Sequence, residues 1–386
     1  GAGVGDGFAG TATGLPGTFD NMNASTGGSG TDTLNGLNAA NAWTLNSSNS
    51  QYLSGGLTFG FDATVEILNG GTAADTFELV GVENGTLNAG AGVDTVHFGE
   101  GATLNGHFDG GSGADSLSFS GNTTGRSIAL TALGSTDGFA GNAAGGTFDN
   151  VNLLTGGNGS DSLTGLDAVS TFNLQPGTVT YTSTNTLTAT GIENLIGGSQ
   201  ADTFTLTDGL TFTGSVDGQG GANTLDFSAF TTGRNITLTG LGSAVGFNGI
   251  EASVIGGFAN ITTLTGSSAT DSLTGMNAPG TFNLQPATLQ YVYTNTLTFT
   301  AFETLAGGTD DDTFAMIGAV NFSGTLDGGA HSLGDTLDYS AYTGDVAVNL
   351  ATGAATGTGG ISNIEIIKGG TGINTITGDD GNNTLY

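Results

Sequence analysis

The sequence lacks cysteine and has very few basic residues. Its 386 residues include no cysteine, 4 prolines and only 3 lysine or arginine residues, against 34 aspartate or glutamate residues. Without cysteine, no disulfide, thiolate metal site or cysteine nucleophile can form. The formal net charge of -31 repels phosphate backbones and anionic lipids, so we expect no nucleic-acid partner. No apolar run reaches the roughly 18 residues of a membrane-spanning helix, so we expect no membrane insertion.

Glycine, in contrast, is abundant, with 73 residues. It does not recur at every third position and proline is scarce, which excludes a collagen-like triple helix. The 22 phenylalanines and the short alternating apolar bursts argue against a disordered chain. We therefore expect a folded chain that is not a compact globule.

A short turn motif recurs along the chain: a glycine turn, then Asp or Asn, then Thr or Ser, then an apolar residue. Its Asp or Asn positions are Asp32, Asp75, Asp94, Asp115, Asp161, Asp202, Asn223, Asp271, Asp312, Asp335, Asn374 and Asn383. Most gaps are one or two multiples of about 20 to 24 residues, as expected of a repeat protein. A glutamate stands nine residues before four of these positions, at Glu66, Glu193, Glu303 and Glu365. The fixed offset predicts that each glutamate holds the same place in its repeat.

A longer period lies above the short one. Residues 170–188 return almost unchanged at 280–298, and residues 123–135 return at 231–243, which indicates a super-repeat of about 110 residues. We divide the chain into block 1 (1–133, with one extra coil near 76–95), block 2 (134–243) and block 3 (244–350). Residues 351–386 would then begin a further block, and we expect the chain to be cut from a longer repetitive polypeptide.

The apolar residues alternate with polar ones, as in residues 203–214 and 235–242. This period of two favours strands, and frequent glycine makes helices costly. We predict an all-β fold, a single-stranded parallel β-solenoid (β-helix) with about 22 residues per coil and a right-handed path. Thr, Ser and Asn stacked on like neighbours are expected to form hydrogen-bonded ladders.

Three turns, at 27–35, 110–118 and 156–164, match the pattern G-G-x-G-x-D-x-U-x, and residues 89–97 come close to it. This pattern resembles the RTX, or haemolysin-type, nonapeptide of secreted bacterial proteins, which binds Ca²⁺ between stacked turns. The resemblance implies Ca²⁺ as a cofactor, with Asp32, Asp94, Asp115 and Asp161 as metal ligands. Tandem nonapeptides, however, occur only at Asn374 and Asn383. The alternative is that Asp or Asn only builds the corner through side-chain-to-backbone bonds.

The block-scale pattern is also similar to the long repeat regions of giant secreted bacterial surface proteins and adhesins. From this we expect a non-enzymatic structural protein, secreted and located at the cell surface. It would form a rigid acidic rod in a surface filament, sheath or adhesin stalk. Expected partners are other copies stacked end to end, neighbouring repeats of the same chain, surface glycans, or divalent cations that bridge rods.

Three alternatives to this function stay open: a Ca²⁺-dependent RTX-like adhesin or binding module, a β-helix enzyme acting on polysaccharides, and an ice-binding solenoid. A polysaccharide lyase needs a cation beside a base, but Arg126 and Arg234 occupy equivalent repeat positions, which indicates a structural role. Lys368 is the remaining cation, and we identify no convincing break in the repeat. Thr-x-Thr runs at 180–191 and 203–214 suggest ice binding, but they do not recur in every coil.

Isolated histidines and aromatics offer few further candidates. His97, His107 and His331 are expected to be surface or turn residues. Trp43 and the pair Tyr291 and Tyr293 could form a sugar-stacking patch, although isolated aromatics in such folds usually cover gaps between coils.

Overall fold

The protein is described here by a computed structural model, which covers residues 1, 3, 7–13, 17–46 and 48–386. The described residues contain no helix, and about half of the chain lies in strands. Consequently no helix in this part of the chain is long and apolar enough to cross a membrane. The all-β class predicted from the period-2 pattern is confirmed.

The strands are short, because glycine or a turn follows nearly every apolar burst. Those before residue 191 are β1 Phe8–Gly10, β2 Phe19–Met22, β3 Thr33–Asn35, β4 Asn41–Leu45, β5 Ser50–Ser54, β6 Leu57–Phe61, β7 Ile67–Gly71, β8 Asp75–Leu79, β9 Val82–Glu83, β10 Thr86–Gly92, β11 Thr95–Phe98, β12 Thr103–Leu104, β13 His107–Asp109, β14 Ser112–Gly113, β15 Ser116–Ser118, β16 Ser127–Leu133, β17 Phe139–Ala143, β18 Gly146–Val151, β19 Leu153–Thr155, β20 Ser162–Thr164, β21 Ser170–Gln175, β22 Thr178–Thr182 and β23 Thr186–Thr190.

The remaining strands are β24 Asn194–Ile196, β25 Asp202–Leu206, β26 Ser215–Asp217, β27 Thr224–Asp226, β28 Asn235–Leu241, β29 Phe247–Glu251, β30 Val254–Ile261, β31 Thr263–Thr265, β32 Ser272–Thr274, β33 Thr281–Gln285, β34 Thr288–Val292, β35 Thr296–Thr300, β36 Thr304–Ala306, β37 Thr313–Met316, β38 Thr325–Asp327, β39 Thr336–Asp338, β40 Val346–Asn349, β41 Ala354–Ala355, β42 Gly360–Ser362, β43 Ile366–Lys368, β44 Asn374–Thr377 and β45 Thr384–Leu385.

The chain forms two compact units. Unit 1 comprises Gly1–Asp167 and Gly177–Leu195, and unit 2 comprises Ala168–Pro176 and Ile196–Tyr386. Within unit 1, one set of paired strands has the order β3-β7-β10-β13-β18-β17-β16-β20 and the other the order β6-β5-β4-β8-β11-β15-β19-β23-β22. Within unit 2, the two orders are β26-β30-β29-β28-β32-β36-β38-β42 and β21-β25-β27-β31-β35-β34-β33-β37-β39-β43-β45. These long sheets are rich in parallel pairs.

The gap between successive turn residues decides how the strands pair. Where the gap is short, as between Asp94 and Asp115, each set gains one parallel strand: β13 lies beside β10 and β15 beside β11. Where the gap is long, as between Asp115 and Asp161, one set gains the antiparallel strands β16, β17 and β18. The predicted parallel pairing is therefore confirmed across the short gaps, while the long gaps contain antiparallel segments that the prediction missed.

Local turn chemistry accounts for these antiparallel segments. Ala144 and Gly145, between β17 and β18, have φ values of 51° and 90°. Gly55 and Gly56, between β5 and β6, have φ values of 56° and 83°. Two successive residues with positive φ suit the type I′ turn, whose twist matches that of an antiparallel hairpin. A hairpin therefore replaces what the spacing alone indicated to be a second coil.

Parallel register places like side chains over one another in the core. Phe172 of β21 stacks on Phe204 of β25, with ring centroids 4.8 Å apart and planes at 10°. Trp43 stacks in the same way on Phe77, at 5.6 Å and 10°. All four rings are fully buried. Aromatic stacking adds to the hydrophobic stabilisation of each successive layer of strands.

Polar positions form ladders in the same register. The Asn69 amide donates to Asn35 Oδ1 at 2.6 Å, and the Asn88 amide donates to Asn69 Oδ1 at 2.8 Å. Five neighbouring parallel strands carry threonine at one register position, which we call the threonine file: Thr171, Thr203, Thr224, Thr263 and Thr298. The predicted amide ladder is confirmed, and it satisfies side-chain polar groups along the sheet.

Candidate functional site: the turn carboxylates

Several turn aspartates close their own corners, and Asp161 shows the arrangement most fully. Its Oδ2 accepts the N–H of Gly157 at 2.6 Å, four residues before it. Its Oδ1 accepts the N–H of Arg126 at 2.5 Å, and its own N–H donates to Glu193 Oε2 at 2.8 Å. Asp161 thus ties three segments of chain together, two through its buried carboxylate and one through its own N–H, in hydrogen bonds that each have a carboxylate as acceptor.

The closing bond from the residue four places earlier recurs in other turns. It joins Gly28 to Asp32 at 2.5 Å, Gly198 to Asp202 at 2.8 Å, Ser267 to Asp271 at 2.6 Å and Gly308 to Asp312 at 2.6 Å. Because these oxygens already accept a backbone hydrogen, the corner-building role weighed in the sequence analysis is what the geometry shows for these turns.

The first glycine of the motif is required by close approach. A Cβ on Gly156 would lie 1.7 Å from the carbonyl oxygen of Gly191 and 2.7 Å from Asp161 Oδ2. Gly27, Gly197, Gly266 and Gly307 are equally crowded, each by a backbone oxygen and by the carboxylate of its turn. The repeated glycine five places before the aspartate therefore leaves room for two oxygens.

The N–H of a turn aspartate is received by a side chain from the next part of the ladder. Across these long gaps the acceptor is the glutamate of the fixed offset. Its Oε2 accepts the aspartate N–H at 2.8 to 3.0 Å in four pairs: Glu66 with Asp32, Glu193 with Asp161, Glu303 with Asp271, and Glu365 with Asp335. The four glutamates do hold one common place, as predicted, and their role there is to cap a backbone donor.

Removing this cap should destabilise the fold. For Glu193→Ala we expect the free energy of unfolding to fall by about 1–3 kcal/mol, because the N–H of the buried Asp161 loses its acceptor. Chemical denaturation followed by circular dichroism measures this change. Glu193→Gln is the matched control, since its amide oxygen can still accept; equal loss in both variants would contradict the capping role.

Across short gaps the acceptor is the next turn residue itself. Asp75 N–H donates to Asp94 Oδ1 at 2.6 Å and Asp94 N–H donates to Asp115 Oδ1 at 2.8 Å. Across the long gap after Asp115, its N–H donates to Asn152 Oδ1 at 3.2 Å, nine residues before Asp161 and so in the place of the glutamate. In Asp75, Asp94 and Asp115 the other oxygen, Oδ2, is buried and has no hydrogen-bond partner. Together with Asp335, whose Oδ2 is likewise buried and unpartnered, these carboxyls form a second class of turn, in which one oxygen lacks a donor.

Burial disfavours the charged form of these groups. Desolvation raises the pKa of Asp75 to about 6 and that of Asp115 to about 7, against the opposing effect of the hydrogen bonds that they accept. Burial also raises the pKa of Asp94. The neighbouring charges of Asp94, Asp137 and Asp109 raise the pKa of Asp115 further.

Asn223 has a side-chain hydrogen-bond donor that Asp115 lacks. It holds the corresponding turn position, and its Oδ1 likewise accepts the N–H of the preceding turn residue, at 3.0 Å. Its Nδ2 donates to the carbonyl of Asn260 at 3.1 Å. Asp115 Oδ2 carries no such donor and has no hydrogen-bond partner, so that either a proton or a cation would stabilise it.

The four predicted Ca²⁺ ligands fall into both classes. The closing bonds occupy Asp32 Oδ2 and both oxygens of Asp161, whereas Asp94 and Asp115 each keep a buried, unpartnered oxygen. A Ca²⁺ ion takes six to eight oxygen ligands. The free carboxylate oxygens of Asp94 and Asp115 therefore fit a cation in part. The oxygens of Asp32 and Asp161 fit one less well, and Ca²⁺ binding stays a prediction.

The basic residues considered for catalysis make structural contacts. The guanidinium of Arg126 lies over the ring of Phe119 at 5.6 Å, and that of Arg234 over Phe230 at 4.4 Å. Lys368 pairs with Asp338 at 3.1 Å. One depression of about 400 Å³ in unit 1 is lined by Gly106, Ser127, Ala129, Asn142 and residues 143–147, none of which is titratable.

The aromatic residues weighed as a sugar platform are mostly internal. Trp43 and Tyr291 are fully buried, and only Tyr293, 43 % exposed, reaches the surface. The Tyr291 hydroxyl accepts the N–H of Met276 at 3.0 Å, and burial raises the pKa of Tyr291 to about 12. The rings of Trp43 and Tyr291 therefore pack in the core rather than on an exposed face.

Histidines contribute one feature that the sequence analysis missed. His97 Nδ1 lies 2.6 Å from Glu78 Oε2, and His107 Nδ1 lies 2.9 Å from the Thr147 hydroxyl. Within the residues that the structure describes, a single group of three side chains brings metal-ligating atoms within 4.8 Å of one another: His331, Asp335 and Glu365. The sequence signal for this group is a two-residue insertion in its turn, where Gly328 stands seven residues before Asp335 rather than five.

No family model matches this sequence, and a search of curated proteins finds no match.

Proposed function

We propose that the chain is a non-enzymatic structural repeat protein built as a parallel β-solenoid, interrupted by antiparallel hairpins. The observation that carries this proposal is the use of the polar repeat residues for stacking. Turn carboxylates, glutamates and asparagines bind backbone groups or like side chains of the next repeat. A repeat whose polar groups are hydrogen-bonded to the next repeat is rigid and has few polar groups available for catalysis.

The setting that we propose is extracellular. The turns resemble those of secreted bacterial proteins, and the absence of cysteine and the charge of -31 suit an acidic rod at a cell surface. Such a rod would serve a filament, sheath or adhesin stalk. Its partners would be further copies at its ends, or neighbouring repeats, because unpaired strand edges accept new strands. Divalent cations or surface glycans would bridge rods laterally.

Small-angle X-ray scattering over a concentration series tests this proposal. We expect an elongated particle of constant cross-section, whose length grows with concentration if copies stack end to end. A compact particle would contradict the rod. Release of reducing or unsaturated sugar ends from a panel of acidic and neutral polysaccharides would support an enzyme instead.

A Ca²⁺-dependent RTX-like binding module is the second candidate. It is favoured by the buried, unpartnered Oδ2 atoms of Asp94 and Asp115. Its test is a melting curve with and without a calcium chelator, where a large drop with chelator supports the ion. Ice binding is less favoured: the threonine file at Thr203 is regular, but Asn173 and Asp226 interrupt the parallel file two residues further along.

A further inference from the structure

The turn before Asp335 is the one turn with a histidine four places before its aspartate. In the turns that close on their own aspartate, the residue at that place donates its backbone N–H to the carboxylate, as Gly308 does to Asp312 at 2.6 Å. Four places before Asp335 stands His331, whose imidazole faces the carboxylate: Nδ1 lies 3.5 Å from Asp335 Oδ2. An imidazole nitrogen has replaced a backbone donor at the corner.

Asp311 holds this longer turn in shape. Its Oδ1 accepts the backbone N–H groups of Ser332 at 2.9 Å, Leu333 at 2.7 Å and Gly334 at 3.1 Å. These bonds lower the pKa of Asp311 to about 2, so the clamp is ionised at neutral pH. The loop that presents His331 is therefore preorganised by a residue that does not itself face the cluster.

The three side chains converge from two segments of unit 2, the turn that carries His331 and Asp335 and the segment that carries Glu365. His331 Nδ1 is 3.1 Å from Glu365 Oε2, and one ligand atom from each of the three side chains lies within 4.8 Å of the other two. Asp335 is fully buried, and its Oδ2 has no hydrogen-bond partner. Asp335 Oδ1 and its N–H are occupied by Asp312 N–H at 2.7 Å and Glu365 Oε2 at 3.0 Å. Only Oδ2 is left, aimed at the imidazole.

We propose that His331, Asp335 and Glu365 bind one divalent transition-metal ion, for which Zn²⁺ is the best fit. Ligands about 2.0–2.2 Å from a tetrahedral zinc lie about 3.4 Å from one another. The distances of 3.1 and 3.5 Å from Nδ1 to the two carboxylates already match such edges. Imidazole with carboxylate suits zinc better than the all-oxygen shell that Ca²⁺ or Mg²⁺ prefers. Water would complete the fourth position, since His331 and Glu365 are partly exposed.

Hydrogen bonds to a ligand carboxylate and to the loop that carries His331 support this geometry. Ligand carboxylates in metal sites are held by further hydrogen bonds, and here Asp335 is held through Oδ1 by Asp312 while Asp311 holds the loop. The site is separate from the four aspartates predicted to bind Ca²⁺, and it does not depend on the structural role proposed above.

Isothermal titration of the metal-free full chain with ZnCl₂, in excess MgCl₂ to saturate weak carboxylate sites, tests the proposal. We expect one saturable site, and His331→Ala should weaken Zn²⁺ affinity by at least about 100-fold, because even second-sphere losses cost up to that much. Glu365→Gln should also weaken it. The matched control is His97→Ala, which removes a histidine that is paired with Glu78 but belongs to no three-ligand group among the residues that the structure describes, and it should leave the affinity unchanged.

Co²⁺ provides a second measurement that does not depend on folding stability. Bound at this site, it should show the intense visible absorption of tetrahedral coordination, absent from His331→Ala and present in His97→Ala. Melting curves in chelator establish that both variants are folded at the temperature of the titration, so that loss of Co²⁺ binding in His331→Ala reports the loss of a ligand. Affinity equal in wild type and His331→Ala, or no binding above the magnesium background, would overturn the proposal and leave a simple histidine–carboxylate ion pair.

Discussion

The protein should melt at a lower temperature at about pH 8 than at about pH 5. Asp115 titrates near an ordinary pKa of about 3.9 when unfolded, whereas burial raises its pKa to about 7 in the folded state. Between these values the folded state binds more protons, so the free energy of unfolding falls as the pH rises. Asp75 and Glu83, with pKa values of about 6 and about 7, act in the same direction. The lowered pKa of Asp311 acts only at more acidic pH.

The variant Asp115→Asn isolates the contribution of one carboxyl to the pH dependence of the melting temperature. It copies Asn223, whose amide donates to the carbonyl of Asn260 and whose oxygen still accepts a backbone N–H. We expect the variant to melt higher than wild type at about pH 8, to melt close to it at about pH 5, and to show a flatter pH profile. Differential scanning calorimetry in chelator measures all three.

Binding of Ca²⁺ at Asp115 predicts a different dependence of melting temperature on pH than protonation does. If a cation rather than a proton neutralises this turn, wild type with Ca²⁺ should be stabilised at high pH and Asp115→Asn should lose that stabilisation. A melting temperature that rises with pH in chelator would contradict the protonation argument. The two experiments together decide between a proton and a metal ion at Asp115.

Gly156→Ala should destabilise the protein by about 3 kcal/mol or more, at the upper end of overpacking effects. The added Cβ would lie 1.7 Å from the carbonyl oxygen of Gly191 and 2.7 Å from Asp161 Oδ2. A backbone oxygen cannot move aside as a flexible side chain can. Relief therefore requires breaking the closing bond from Gly157 to Asp161. Chemical denaturation measures the loss.

Gly81→Ala is the control for this substitution. A Cβ at Gly81 meets nothing within 4 Å, and its φ lies outside the positive range. The control should be neutral or slightly stabilising, because alanine reduces the entropy of the unfolded chain. If both variants behaved alike, the glycine of the motif would serve flexibility rather than close approach.

Much of the local structure could be predicted from the sequence. Strand periodicity, the turn positions and the common place of Glu193 and Glu303 depend on short spacings and on which residues tolerate a corner. The asparagine ladder through Asn69 could also be predicted, because a stacked repeat brings like residues together. The antiparallel strands were missed: a gap of two units and a unit plus a hairpin have the same length.

The sequence by itself determined the all-β class, the stacking repeat and the corner-building motif, since these depend on residue type and local spacing. Only the tertiary structure decided which carboxylate oxygens are satisfied. Asp161 and Asp115 have nearly the same motif, yet both oxygens of Asp161 accept N–H groups while Asp115 Oδ2 has no donor. It also decided that His331 meets Glu365. Such differences depend on segments remote in the chain, and spacing within one repeat carries no information about them.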